Sequence, residues 1–387
     1  MTMYWNFLVF VMLAFQINMK LLSLTKFFTY TLLLFTCLVP SLLSAQQFSI
    51  DSQETWKAKV LEIISERQED IFDTSHLVQT MEAEILKGPQ KGKIIQIEND
   101  FQELKRGDRF YLIYNGENSY VFITVARQGP LLLLLGIFAL AVIAFGRWQG
   151  ARSLVALAAS FIAIIFILIP GILNGWNPLF ASFLVAGAIL FAAIFFTHGF
   201  NRESAVAYAG TMIAVVLAGL FAIFAVHITN LSGFAAEEAM YLNFNTGGTI
   251  NFTALLLGAF IIGFLGVLDD IAITQSAVVT ELYNSNPNIT KHEVYTRAMR
   301  IGREHVGALV NTLVLAYTGA SLPLLLYFNL LPTSISSIIN LEIFVTEIVR
   351  IIVGSIGLIL TVPIVTLLAV RFLKGYKSKH EHSHSHS

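Results

Sequence analysis

The sequence predicts an α-helical polytopic membrane protein of about seven spans with a small N-terminal extracytoplasmic β-barrel domain of OB-like size. Of its 387 residues, 56% are hydrophobic and only 13% are charged. A water-soluble chain of this composition would lack the polar surface needed to cover itself. Long apolar segments follow one polar stretch, and basic residues recur in alternate loops between them. These observations predict spans, a separate β domain and a defined orientation in the membrane.

The N-terminal segment, residues 1–45, is predicted to be a signal peptide or an N-terminal anchor. Lys20 and Lys26 come before an apolar core, and the small residue Ala45 precedes a polar run. That is the layout of a secretory signal peptide. The residues ahead of Met19 form a second apolar run that is short for a span. Translation from Met19 is therefore one interpretation, and an uncleaved anchor is the alternative.

Residues 46–127 have the pattern of a small β domain. Apolar and polar residues alternate with period two, and turn signals such as "GPQKG" and "YNGENS" separate the segments. We expect the strands of an OB-like barrel, which a signal sequence would place outside the cytoplasm. OB barrels can bind nucleic acid, but the mixed charges and this location argue against a nucleic-acid partner. The predicted strand segments are "KAKVLEIIS", "TMEAEILKG", "KGKIIQIEN" and "RFYLIYN".

Residues 128–372 are predicted to form the multi-span transmembrane domain. A helix that crosses about 30 Å of hydrocarbon takes roughly 20 residues. Apolar segments of about that length recur along the domain, and each is read as one span. They lie at about 130–147, 153–173, 178–198, 203–229, 251–270, 305–328 and 346–370.

The distribution of basic residues predicts the orientation of these spans. Loops around 171–177, 230–249 and 329–342 contain no Lys or Arg. Because cytoplasmic loops are enriched in Lys and Arg, we expect the N-terminal domain outside and the C-terminus in the cytoplasm. The basic residues of the other loops and the tail are Arg147, Arg152, Arg202, Lys291, Arg297, Arg300, Arg303, Arg371, Lys374, Lys377 and Lys379.

Two adjacent carboxylates, Asp269 and Asp270, interrupt the apolar stretch "GFLGVLDDIAITQSAVVTEL" at residues 263–282. In a helix that begins at Asn251, Asp269 lies about 27 Å along the axis, near the cytoplasmic boundary. The pair would then end a span, and the residues after it would form an interfacial helix. Continuation to Leu282 would make the helix about 48 Å long, too long for one straight crossing, so a bend or a re-entrant segment is the alternative.

The same helix presents a polar face. At 100° per residue, one arc of about 140° contains Gly258, Gly263, Gly266, Asp269, Asp270, Ser276 and Thr280, with Thr274 at its edge. Small residues let a partner helix approach, and polar side chains then face that helix or a cavity instead of lipid. Carboxylates beside hydroxyls and an amide could hold a proton or a cation during transport. The candidate transport residues are Asp269, Asp270, Thr274, Gln275 and Ser276.

Two arginines are candidate gate partners for these carboxylates. Arg300 and Arg303 belong to an amphipathic helix that begins with a capping box, Thr290 followed by Glu293. Contact of the guanidinium groups with anionic headgroups is one interpretation. Pairing with the two aspartates in a closed inner gate is the other.

A second pair of charged residues lies on the last predicted span. Glu347 and Arg350 are three residues apart and share one helix face. A salt bridge at the outer interface is one interpretation, and an outer gate pair is the other.

The stretch at 263–282, followed by the basic "YTRAMRIGREHVGALVNTLVLAYTGASLPLLL", resembles the YibE/F family of bacterial multi-span membrane proteins. An extracytoplasmic domain ahead of the spans is a further likeness. The resemblance is specific around residues 251–328 and extends over about 46–372. It implies a multi-pass protein of the bacterial cytoplasmic membrane, from a family without an established activity that is regarded as a candidate permease. It implies no site residues.

Enzymatic chemistry is disfavoured by the arrangement of the polar residues. An aspartate dyad needs carboxylates that face each other, whereas neighbours on one helix diverge by about 100°. Ser321 lies in "GASL", a context reminiscent of rhomboid proteases, but the last span contains no histidine to act as its base. We therefore expect no enzyme activity, no catalytic residue and no cofactor.

Residues 373–387 form a His-rich tail, which the charge pattern places in the cytoplasm. Imidazoles in a flexible tract can bind transition metals weakly, but without fixed neighbours they do not define a metal site. The histidines are His380, His382, His384 and His386.

The function expected from the sequence is that of a permease or transport-associated protein for a small solute or ion. The sequence shows no nucleotide-binding motif such as GxxxxGK[ST], so ATP drive would have to come from another chain. The alternative is a non-catalytic membrane scaffold that binds an envelope partner through the β domain. The expected partners are the lipid bilayer, a small solute or cation, an envelope protein and a second copy of the chain.

Overall fold

The structure is a computed structural model that describes residues 55–71, 74–100, 102–116, 119–330, 332 and 334–376. The predicted signal peptide or anchor and the histidines of the C-terminal tail lie outside the described residues. The described chain divides into two compact units, one that ends at Phe145 and one that begins at Gly146. The first unit contains a β-sheet, and the second is a bundle of helices.

Five antiparallel strands form the sheet of the first unit, in the order β3-β2-β1-β4-β5. Because β4 returns to lie beside β1, the first four strands make a Greek key. The sheet is open, with β3 and β5 at its edges, so closure into the predicted barrel is not confirmed. The strands are β1 (Thr55–Ile71), β2 (Thr74–Lys87), β3 (Ile94–Asn99), β4 (Arg109–Tyr114) and β5 (Tyr120–Val125).

The four predicted strand segments correspond to β1 through β4, but the sequence analysis missed two features. It did not identify β5, and it ended the first strand at Ser65. β1 and β2 remain paired from Lys57 opposite Lys87 as far as Ile71 opposite Thr74. Backbone pairing across this hairpin overrides the low strand propensity of the polar residues in "SERQED".

The core of the sheet is built around Trp56, which is 5% exposed. Its ring stacks on Tyr114, with the ring centroids 5.1 Å apart. Gly88, in the predicted turn after β2, has a positive φ of 136°, and a Cβ there would come within 2.6 Å of the indole Cγ. Backbone conformation and space therefore both require glycine at this turn.

Within the described residues, five helical segments are long and apolar enough to cross a membrane, and a bent pair of helices would make a sixth. The chain is therefore a membrane protein. The count of seven is not confirmed, because the first two predicted spans fall within one helical segment of 46 residues, Gln128–Leu173. The helices are α1 (Gln128–Ala163), α2 (Ile169–Leu173), α3 (Pro178–Phe191), α4 (Arg202–Ile228), α5 (Glu237–Asn245), α6 (Phe252–Ser285), α7 (Lys291–Ala320), α8 (Leu322–Leu330), α9 (Ile335–Ile339) and α10 (Glu342–Phe372).

Three irregular points occur along the first helices. Arg147 interrupts α1 with φ 46° and ψ −131°, outside any helical conformation. A π-helical turn, Ile164–Leu168, joins α1 to α2, and a second one, Ala192–Phe196, follows α3. The break at Arg147 separates the two apolar stretches that the sequence analysis read as different spans.

The central helix of the bundle is α6, which packs against α3, α4, α7 and α10. α10 runs parallel to it, whereas α4 and α7 run antiparallel. The pairs that establish these directions are Phe264 with Gly354 and Gln275 with Thr366 for α10, Ile261 with Gly219 and Ser276 with Glu203 for α4, and Gly263 with Tyr317 and Gln275 with Ala298 for α7.

The predicted span at 251–270 ends well before the helix itself does. α6 is one continuous helix of 34 residues that runs 15 residues past Asp270, without the bend that the alternative required. The residues after the carboxylate pair continue the same helix, and neighbouring helices bury one side of them. Their position at the membrane interface stays a prediction. The buried residues of this part are Ile271, Ala272, Gln275, Ser276, Val279, Thr280 and Tyr283.

Thr290 caps α7 as predicted. Its side-chain oxygen accepts a hydrogen bond from the Glu293 amide at 3.2 Å. From this cap the amphipathic segment continues without a break into the apolar part of α7. Ser321 ends the helix, and α8 follows at a bend of 57°.

Small residues determine how closely α4 and α10 approach. Gly210, Ala214, Ala218 and Ala222 recur every four residues on α4 and are buried. A Cβ on Gly210 would come within 2.5 Å of Val365 on α10. Membrane helices pack through such small residues, because lipid tails are as apolar as the side chains that they replace.

We expect Gly210→Ala to destabilise the bundle, because the added methyl group would overlap Val365. Overpacking of this kind costs about 1–3 kcal/mol. Gly307→Ala is the matched control, since a Cβ there meets nothing within 4 Å, and helix propensity should stabilise that variant by up to about 1 kcal/mol. The free energy of unfolding in mixed micelles measures both effects. Equal stability of the two variants would contradict the close approach of α4 and α10.

Candidate functional site

Asp269 and Asp270 line a cavity of about 420 Å³ within the helix bundle. Its walls are the second half of α1, the end of α3 with its π-helical turn, and the middle of α6. Asp269 is half-buried, and Asp270 is exposed. Most of the wall is apolar, and its polar residues are Ser153, Ser160, Thr197, His198, Asp269 and Asp270.

Both π-helical turns border this cavity. The turn at Ile164–Leu168 contributes Ile164, and the turn at Ala192–Phe196 contributes Ala193 and Ile194. π-helical turns are rare in proteins, and they occur frequently at functional sites. Their presence on two walls of one cavity is a second reason, besides the carboxylates, to regard it as a functional site.

Glycines on α6 explain where the cavity opens. Gly258 lies against Ser182 of α3, where an added Cβ would overlap the hydroxyl group. Two turns later, a Cβ on Gly266 would meet nothing within 4 Å. α3 and α6 therefore touch near Gly258 and separate toward Asp269, and the cavity occupies the gap.

A hydrogen bond between α4 and α6 indicates how deep the carboxylates lie. The Ser276 hydroxyl donates to the carbonyl oxygen of Glu203, in the first turn of α4, at 3.1 Å. Asp269 comes seven residues before Ser276, or about 10 Å deeper into the bundle. The carboxylates thus belong to the interior of the helix bundle and do not mark the end of α6.

A second cavity, of about 460 Å³, continues along α6 toward its C-terminal end. It lies between α6 and the beginning of α4, and it shares His198 and Ile273 with the first cavity. Thr274, a predicted transport residue, lines this second cavity. Its polar lining residues are His198, Asn201, Glu203, Ser204, Thr274, Thr280, Glu281 and Asn284.

Gln275 and Ser276, also predicted as transport residues, line neither cavity and connect helices. The Gln275 Nε2 group donates to the Ala298 carbonyl oxygen on α7 at 2.9 Å and to the Thr366 hydroxyl on α10 at 2.7 Å. Both side chains are almost completely buried. The predicted set therefore divides into two cavity carboxylates, one hydroxyl of the second cavity and two structural residues.

Arg300 and Arg303, the candidate inner gate partners, are exposed on α7. No ion pair within the described residues joins either arginine to the two aspartates. α7 contacts the side of α6 that includes Gln275, whereas the aspartates face α1 and α3. A role for Arg300 and Arg303 in a closed gate stays a prediction.

The candidate outer pair, Glu347 and Arg350, is present as an ion pair. The Arg350 guanidinium donates to the carboxylate at 2.8 Å, and both side chains are about a quarter exposed. The guanidinium also lies over Phe260 of α6 and Tyr317 of α7, at 5.6 and 5.8 Å from the ring centroids. Contacts with two further helices make this pair part of the bundle, and a gating role stays a prediction.

The sequence analysis missed one stripe of α6 that lines the cavities. Asp270, Thr274, Ala277, Glu281 and Asn284 recur at intervals of four and three residues, the spacing of a single helix face. All five residues line one of the two cavities. The spacing was visible in the sequence and distinguishes this stripe from the face that includes Gln275 and Ser276.

The sequence profile of the YibE/F-like protein family matches residues 134–375. The chain belongs to this family. The match begins within α1 and ends after α10, so both cavities lie within the YibE/F-like region. The resemblance noted in the sequence is confirmed. No curated protein and no solved structure matches the chain.

Within the residues that the structure describes, no group of three or more His, Cys, Asp or Glu side chains could hold a metal ion. The polar groups that line the two cavities of this YibE/F-like protein are carboxylates, hydroxyls, amides and the His198 imidazole.

We expect Gln275→Leu to lower the free energy of unfolding by about 1–3 kcal/mol, because two buried hydrogen bonds are lost. Thr274→Ala is the matched control, since Thr274 is exposed and its hydroxyl bonds only the Asp270 carbonyl oxygen of its own helix. Its effect should stay within about 0.5 kcal/mol. Unfolding in mixed micelles measures both variants. If a Gln275→Leu variant instead keeps the wild-type free energy of unfolding but loses transport, Gln275 is a transport residue as the sequence predicted.

Proposed function

We propose that this YibE/F-like protein is a secondary transporter for a small solute or ion, in which Asp269 and Asp270 take up a proton or a cation. The observation that supports it best is the position of both carboxylates in the wall of a half-open cavity between three helices. We propose no chemical conversion, no cofactor and no enzymatic role for these residues.

The energetics of carboxylates in a membrane bundle support this proposal. Ionisable side chains within spans are costly, and they usually face a water-filled space, pair with one another or take part in ion movement. No ion pair involving Asp269 or Asp270 occurs in the described chain. A cavity that admits water and an exchangeable ion would satisfy both carboxylates.

The proposal includes seven spans. Five helical segments qualify as spans, and the bent pair of α7 and α8 would add a sixth. Division of Gln128–Leu173 at Arg147 would supply the seventh, since 46 residues in one helix would extend about 69 Å, more than twice the hydrocarbon thickness. Alternating helix directions around α6 agree with this threading.

The charge pattern supports the orientation that we propose. Basic residues follow α3 and α6, whereas the loops at the opposite ends of these helices contain none. On this basis the β domain lies outside, the C-terminus lies in the cytoplasm, and the membrane is the bacterial cytoplasmic membrane. A cleaved N-terminal signal or an anchor at residues 1–45 would deliver the β domain to that side.

The second candidate function is a membrane scaffold that binds an envelope protein. We propose an OB-like character for the β domain, because OB folds are five-stranded, partly open Greek-key barrels. Exposed apolar side chains on the edge strands favour a binding role: Ile94 on β3 is 57% exposed and Val121 on β5 is 46% exposed. A second copy of the chain is an alternative partner for these edges.

We expect purified protein in proteoliposomes to show charge movement after rapid jumps in H⁺, Na⁺, K⁺ or Mg²⁺ concentration. Asp269→Asn and Asp270→Asn should each lower the initial rate about 10- to 100-fold, since an interaction with a charged group is worth about 1.5–3 kcal/mol. Gly266→Leu should lower the transport rate without removing a carboxylate, because its side chain would project into the open space beside Gly266 and narrow the cavity. Gly307→Leu, on an open surface of α7, is the matched control and should transport normally.

Two results would count against the proposal. If the wild-type protein shows no charge movement with any of these ions, the scaffold function becomes the better explanation. If transport survives both Asp→Asn substitutions and Gly266→Leu, the protein is a transporter whose pathway does not pass the cavity described above.

A further inference from the structure

The second cavity lies where α3 has ended, α4 begins and α6 approaches its last turns. The stripe on α6 connects it with the first cavity, since Asp270 lines the first and Ala277 and Glu281 line the second. Ile273 and His198 belong to both walls. The two spaces are therefore neighbours along one helix face, with these two side chains at their boundary.

The charged residues of the second cavity favour cations. Glu203, in the first turn of α4, is half-buried, and Glu281 on α6 is exposed. Among the described residues, no Lys or Arg lines either cavity. Carboxylates of one sign in a concave space raise the local concentration of cations and exclude anions.

A buried hydroxyl gives an independent indication of a ligand. Ser204 is 0% exposed and lines the second cavity. Its amide donates to the side chain of Asn201, the N-cap of α4, at 2.8 Å, but its hydroxyl has no hydrogen-bond partner among the described residues. The hydroxyl oxygen has almost no accessible surface, so it does not itself face the open space of the cavity. Because buried hydroxyls are nearly always hydrogen-bonded, a water molecule or hydrated ion that enters beside it would supply the missing partner.

We propose that the second cavity is a cation-selective vestibule of the transport pathway. Glu203 and Glu281 collect small hydrated inorganic cations there, and the ions pass Ile273 and His198 to reach the aspartate pair. This inference rests on the transport function proposed above and adds the substrate class and the route. With the proposed topology, the vestibule opens to the cytoplasmic side.

Thiol labelling tests the selectivity of the vestibule without any transport assay. In a chain with Cys37 replaced, Ala277→Cys places an exposed thiol on the vestibule wall. A cationic and an anionic methanethiosulfonate of similar size are added separately to each side of sealed vesicles. We expect faster labelling by the cationic reagent, and Glu203→Gln with Glu281→Gln should lower the ratio of the two rates about fivefold.

Glu304→Gln is the matched control for this neutralisation. Glu304 is an exposed carboxylate on α7 that lines neither cavity, so its loss should leave the ratio unchanged. Glu281→Gln alone replaces the double variant if substitution at the half-buried Glu203 prevents folding. A ratio that does not respond to Glu281→Gln, or that falls equally in Glu304→Gln, would overturn the vestibule.

The boundary between the cavities has its own test. A thiol at Gly266→Cys lies in the first cavity, where open space surrounds the position. We expect Ile273→Trp to slow cytoplasmic labelling at Gly266→Cys at least about tenfold, since about 1.4 kcal/mol of added barrier suffices. Labelling at Asn284→Cys, which lies about three turns beyond Ile273 on the wall of the second cavity, should be unchanged. Equal slowing at both positions, or at neither, would contradict a route past Ile273.

The two proposals fail in distinguishable ways. If Asp269→Asn abolishes ion-driven charge movement while labelling at Ala277→Cys shows no preference for the cationic reagent, the transport function is supported and the vestibule proposal is overturned. If the labelling preference is present but no ion produces charge movement, the acidic cavity exists without the transport function, and the route proposed for it is overturned.

Discussion

An ionised carboxylate inside a helix bundle of a membrane protein needs water, a counter-charge or a proton, because hydrocarbon supplies none of these. Asp269 and Asp270 impose that requirement on α6, the central helix, which packs against α3, α4, α7 and α10. The described chain gives them no ionic partner and instead leaves space beside them. The separation of α3 from α6 beyond Gly258, the π-helical turns and the serines of the facing wall are all features of that space.

The opposite side of α6 meets a different requirement. There the helix is dry and closely packed, and its polar groups are satisfied by other helices through Gln275, Ser276 and Tyr283. Small residues on α4 and α10 bring the backbones near enough for these contacts. One helix therefore combines a face that holds the bundle together with a face that borders open space, and the two lie about half a turn apart.

Much of the fold follows from local sequence. Apolar length placed α3, α4 and α10 within a few residues, the Thr290 cap was correct, and the Glu347–Arg350 pair forms as its spacing suggested. The end of α6 was misplaced because a charged pair was read as a boundary. Residues after Asp270 are buried by the beginning of α4 and the end of α10, which come from distant parts of the chain.

The candidate site shows the same limit. Asp269 and Asp270 were identified because carboxylates are rare in an apolar helix. An arc of 140° was too broad, however, to separate Asp270 from Ser276, which point about 120° apart. His198 and Ser160 belong to other parts of the chain, and no local sequence pattern predicts that they approach the aspartates. β5 was also missed, although its sequence "YVFITV" consists of strong strand formers.

The amide of Gln275 has a mechanical consequence. It joins α6 to both α7 and α10, and Ser276 joins α6 to α4, so these four helices are fastened into one rigid body at that level. Widening of the gap at Asp269 must then come from α1 or α3, and the contact at Gly258 would be the fulcrum for a tilt of α3. The lever from Gly258 to Asp269 is about 16 Å long, so a tilt of about 10° would open roughly 3 Å, the width of one water molecule.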